Sequence, residues 1–119
     1  MISLLLVAVA AFFNAVMNKL CWHFERSLFA GLNAKWWNPN VSWAYVKFVT
    51  FTMYRADAWH LSKTIMLCCL CAVVVCYRPI ITCFKVYWLN IISDFMLFST
   101  IWCTVFNLCF NRLLAAKKF

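Results

Sequence analysis

The chain has 119 residues, of which 67% are hydrophobic and 12% charged, with one glycine, two prolines and a formal net charge of +8. That balance and a mean hydropathy of +0.85 exclude a water-soluble domain, and the single Gly31 excludes a glycine-rich phosphate-binding loop. The basic excess is explained by membrane orientation and anionic headgroups. Too little chain lies outside the apolar segments to build a basic nucleic-acid surface, so no nucleic acid is expected as a partner.

A helical span needs about 20 mostly apolar residues to cross a hydrocarbon core of about 30 Å. The first such segment is Ile2–Trp22. It lacks the basic n-region of a secretory signal and stays apolar through Asn14 and Asn18, so it reads as a retained span. The connection 23–60 follows. Within it, Asn33-Ala34-Lys35-Trp36-Trp37-Asn38-Pro39-Asn40 breaks the helical pattern, because proline lacks a donor and restricts the residue before it. The apolar run 41–54 then reads as an interfacial, re-entrant or spanning helix or an extension of the next one, since an open strand in lipid would leave backbone groups unsatisfied. Leu61–Tyr77 is a second, short span whose Lys63 can snorkel to the headgroups, and Val86–Phe110 is the third. The expected fold is therefore all-α and polytopic, a single membrane domain over residues 1–119 with about three transmembrane helices and an interfacial or extended helix before the second.

Orientation follows from the lysines and arginines, which favour the cytoplasmic side. Arg26, Lys35, Lys47 and Arg55 lie in the connection and Arg112, Lys117 and Lys118 at the C-terminal end, against Arg78 and Lys85 on the other side. This places the N-terminus outside and the C-terminus inside, with Trp22, Trp36, Trp37, Trp43 and Trp59 forming an aromatic belt at the inner interface.

Eight cysteines are present, and Cys68, Cys69, Cys71 and Cys76 lie inside the second span. There a thiol packs as a small polarizable hydrophobe, and the loop spacing of a zinc site is missing. Polar side chains within spans are costly, so their periodicity carries more information. On the last helix Ser93, Thr100, Thr104, Asn107 and Asn111 share a face at 100° per residue, with Asn90 and Asp94 along its edge. On the first, Ser3, Asn14, Asn18, Cys21 and Glu25 form a second stripe beside Ala10 and Ala11. Both stripes are expected to face protein or water.

A second constellation sits at the inner interface. His23 and Glu25 end the first helix, while Arg55, Asp57 and His60 lead into the next; Asp57 and His60 are one helical turn apart. As chemistry, His23, His60 and one of Asp57 or Glu25 would supply a two-histidine, one-carboxylate set suited to a transition metal. As structure, Asp57 offsets a helix dipole and the histidines are wet interfacial side chains. No cofactor is predicted. Arg55 and His60 also fit the loose arginine, four residues, histidine pattern of HEPN-type ribonucleases, which arises easily by chance.

His23-Phe24, Ser27-Leu28-Phe29, Trp37-Asn38-Pro39-Asn40-Val41-Ser42-Trp43 and Asp57-Ala58-Trp59-His60-Leu61 together resemble a family of small uncharacterised bacterial integral membrane proteins. The likeness rests on a tryptophan-asparagine-proline element, a serine-tryptophan pair and an aspartate-(glycine or alanine)-tryptophan-histidine element heading a hydrophobic helix. It covers about His23 to Leu67. Where those proteins carry a polar basic loop after the serine-tryptophan pair, Ala44-Tyr45-Val46 runs on directly here. The resemblance implies a bacterial inner membrane and brings no activity with it.

The function expected is that of a structural or interaction subunit that self-associates or joins other membrane subunits, with membrane lipids as its surroundings. Asn14, Asn18, Asn90, Asp94, Thr100, Thr104, Asn107 and Asn111 would be the association residues. Two alternatives stand beside it: a pore or ion path lined by the same residues, and an interfacial metal-dependent enzyme built on His23, Glu25, Arg55, Asp57 and His60.

Overall fold

The computed structural model of the chain describes residues 1–45 and 57–116. The fold is all-α, and three of the helices among the described residues are long and apolar enough to cross a membrane. Helix α1 runs over Ile2–Trp22, and a 3-10 turn over Phe24–Arg26 ends its path. Two short helices follow, α2 over Ala34–Trp37 and α3 over Pro39–Tyr45. Helix α4 spans Ala58–Cys76, and α5 spans Tyr87–Leu108 before a π-helical turn over Cys109–Leu113.

Local chemistry sets these boundaries. Asn33 caps α2 by accepting from the Lys35 N–H at 3.0 Å. Asn38 accepts from the Asn40 N–H at 3.0 Å, and Pro39 takes the first position of α3, where its missing donor costs nothing. Among the described residues the connection before α4 thus holds two short helices. Residues 46–54 of the apolar run, together with Arg55, lie outside the described residues. Helix α4 begins three residues before the expected Leu61 because Asp57 is its N-cap, accepting from the His60 N–H at 2.7 Å.

Helix α1 is the central element. Its Phe12, Phe13 and Val16 line a cavity with Ala58, Leu61 and Ser62, while Val7 lies with Leu70, Val73 and Val74, so α1 and α4 run antiparallel. Lys19 and His23 both meet Phe110, and Val7 shares a groove with Phe98 and Trp102, so α1 and α5 run parallel. The molecule is only 17 Å thick, little more than one helix with its side chains, so α4 and α5 flank α1 in a flat layer. Ala10, Ala11 and Ala15 of α1 are fully buried and let its neighbours approach closely.

The apolar core lies at one end of the layer, where α1 finishes, α4 starts and α5 finishes. Ala15, Val16, Leu20, Ala58, Cys109 and Leu114 form it, covered by Phe24, Phe29, Trp37, Trp59 and Phe110. The backbone ties that end together. The Leu28 N–H donates to the Leu114 carbonyl at 3.2 Å and the Ala116 N–H to the Arg26 carbonyl at 3.0 Å, an isolated antiparallel bridge centred on Ser27 and Ala115.

Candidate functional site

At the core end, the two motif segments close on each other. Asp57 is 2% exposed and Ser42 is 1% exposed. The Ser42 hydroxyl lies 2.9 Å from Asp57 Oδ2 and 3.1 Å from the Pro39 carbonyl, while Asp57 Oδ1 accepts from the His60 N–H and lies 2.8 Å from His60 Nδ1. The carboxylate therefore stands between the hydroxyl and the imidazole. A nucleophilic serine needs the imidazole in the middle, as its base, so this order makes a clamp joining α3 to the head of α4. Asp57 and His60 meet as their spacing implies. Ser42 is the partner missed by sequence reasoning, because nothing local to 39–42 announces a contact fifteen residues on.

His23 and Glu25 stand elsewhere. The His23 ring packs edge-on against Phe110 at 5.5 Å, and Glu25 is exposed on the 3-10 turn. Both line a polar cavity of about 440 Å³ with Cys21, Trp22, Phe24, Arg26, Asn38 and Asn40. Among the described residues no three His, Cys, Asp or Glu side chains gather closely enough to hold a metal ion. Arg26, Asn38 and Asn40 are polar cavity residues absent from the candidate set read from the sequence. Asn38 and Asn40 lay in the tryptophan-asparagine-proline element, and Arg26 adjoined Glu25.

The polar stripe of α5 divides into two parts. Asp94, 1% exposed, accepts from the Tyr77 hydroxyl at 2.9 Å, the Ile80 N–H at 2.8 Å and the Ile81 N–H at 2.9 Å. Asn90 pairs with both backbone groups of Phe84, accepting its N–H at 3.0 Å and donating to its carbonyl at 3.1 Å. These two side chains are receptors for the irregular 77–86 connection, whose backbone groups need partners at the membrane boundary. Farther along, Thr100, Thr104, Asn107 and Asn111 are exposed. Val105, Phe106 and Phe110 pack on the core, so the four are turned away from α1. Thr100 donates to the Met96 carbonyl of its own helix, whereas Thr104, Asn107 and Asn111 make no side-chain hydrogen bond among the described residues.

On α1, the Asn18 amide donates to the Asn14 carbonyl at 2.9 Å and lies 3.3 Å from Asn14 Oδ1, so this part of the first stripe is bonded along its own helix. Ser3 is buried and Cys21 half-buried.

No protein-family model, curated protein or solved structure matches the chain.

Proposed function

We propose that the protein is a self-associating structural subunit of a membrane assembly, and that the outer face of α5 is its helix–helix contact. The carrying observation is the exposure of Thr104 and Asn107 on a spanning helix without intramolecular side-chain partners. In hydrocarbon an unpaired amide is costly, and a facing helix supplies the missing partner. Leu97, Thr100, Thr104, Asn107 and Asn111 also recur at alternating three- and four-residue intervals, the spacing of a helix-packing seam. The occupied carboxylate of Asp94 leaves this outer seam without an ionised side chain, which favours a contact over an ion path.

The setting proposed is a bacterial inner membrane with the core end cytoplasmic. Arg26, Lys35, Lys63 and Arg112 cluster at that end against Arg78 and Lys85 at the other, and the family resemblance points the same way.

The test replaces Thr104 and Asn107 together by leucine and measures association of labelled protein by energy transfer in lipid vesicles. Two to four lost hydrogen bonds at about 0.6 kcal/mol each weaken association about tenfold or more. A photo-crosslinker at position 104 identifies the neighbour. An adduct of twice the chain mass supports self-association, and an adduct of another mass assigns the seam to a different subunit. No adduct, with unchanged energy transfer in the leucine variant, overturns the proposal.

A further inference from the structure

The polar cavity past the end of α1 has an apolar companion on its membrane side. That second cavity, about 200 Å³, is lined by Met17, Asn18, Cys21, Trp22 and Trp59, and Cys21 and Trp22 line both. Along α1 the sequence of walls runs from Met17 and Asn18 inside the span, through Cys21 and Trp22 at its end, to Glu25 and Arg26 beyond it. Apolar volume on the hydrocarbon side and charged volume on the headgroup side is the division of a phospholipid. The Asn18 amide nitrogen is turned onto Asn14, which leaves Met17, a thiol and two indoles to face an acyl chain. Trp22 is 75% exposed at the last residue of α1, and an indole at the end of a span favours the boundary between chain and headgroup.

The charged wall narrows the ligand class. Glu25 and Arg26 are adjacent, exposed and both on the cavity, and neither forms an ion pair among the described residues. The Arg26 backbone is fixed by its hydrogen bond from Ala116. A guanidinium matches a phosphate, and a carboxylate matches an ammonium that carries N–H donors. The amides of Asn38 and Asn40 complete the rim; Asn38 Oδ1 is occupied by the Asn40 N–H, so its side-chain NH2 remains to donate toward phosphate oxygens.

We infer that these paired cavities bind one zwitterionic phospholipid of the phosphoethanolamine type, with its phosphate at Arg26, its primary ammonium at Glu25 and the start of an acyl chain along Met17, Trp22 and Trp59. The site is independent of the α5 seam, which lies on another helix.

Native mass spectrometry of delipidated protein in detergent, with phosphatidylethanolamine, phosphatidylcholine and phosphatidylglycerol added singly, tests it. The expected result is one phosphatidylethanolamine per chain, held about tenfold more tightly than phosphatidylcholine, whose quaternary ammonium offers Glu25 no N–H. Glu25→Gln removes that preference, Glu25→Asp restores it in part, and Arg26→Gln weakens all three lipids about tenfold. Both residues are exposed, so these variants keep the fold, which helical circular dichroism checks. Equal retention of the ethanolamine and choline lipids overturns the inference. So does a preference for phosphatidylglycerol, or unchanged binding in both variants. Soluble glycerophosphoethanolamine serves as the competing probe: displacement of the lipid at equimolar concentration would assign the site to a free headgroup, and failure to displace it supports a membrane lipid.

Discussion

Replacing Asp94 by leucine should unfasten the 77–86 connection. The carboxylate receives three donors, the Tyr77 hydroxyl and the Ile80 and Ile81 amides, at 2.8–2.9 Å and with 1% exposure. Hydrogen bonds to a charged acceptor contribute about 1.5–3 kcal/mol each, but three on one group are not additive, and the half-buried isoleucine amides recover some water. The expected loss is about 3–5 kcal/mol for Asp94→Leu. Asp94→Asn keeps one carbonyl oxygen but turns an NH2 toward a donor, so about 2 kcal/mol is expected there. Stability is read from tryptophan fluorescence during unfolding by sodium dodecyl sulfate in bicelles. Hydrogen exchange reads the mechanism directly, because the Ile80 and Ile81 amides should lose protection in both variants while those of α1 keep theirs. A leucine variant within about 0.5 kcal/mol of the parent, with unchanged exchange at 80 and 81, would refute the reasoning.

Asp57→Ala removes a helix cap and a buried acceptor for both Ser42 and His60, and should cost about 2–4 kcal/mol by the same unfolding assay. Ser42→Ala should cost about 1 kcal/mol and show coupling of at least about 0.5 kcal/mol with Asp57→Ala in a double-mutant cycle; additive losses would remove the clamp. Lys19, 7% exposed, holds its ammonium 4.1 Å from the Phe110 ring centroid, so Lys19→Met should cost about 1 kcal/mol in the parent and less in a Phe110→Leu background. Leu20→Ala should cost about 2–5 kcal/mol because Leu20 is fully buried, whereas the 51%-exposed Leu61 should tolerate alanine with a loss below about 1 kcal/mol.

Sequence by itself determined the all-α membrane fold and its three long helices, because span length and apolar composition are set by the bilayer and can be read one segment at a time. It also brought Asp57 and His60 together, which depends only on residues one turn apart, although the cap that Asp57 forms starts α4 before the expected Leu61. The places of Asn90 and Asp94 were a different matter. Periodicity put them along the edge of the face that carries Thr104 and Asn107, yet the first pair turns inward to hold backbone donors of the preceding connection and the second pair faces outward. A helical wheel records angle and omits which neighbour occupies it. The tertiary structure alone decided that α1 lies between α4 and α5, that residues 26–28 bridge to 114–116, and that Ser42 reaches Asp57. Each of these joins segments distant in the chain, and such pairings are fixed by packing and by the need to satisfy buried polar groups, which no local pattern encodes.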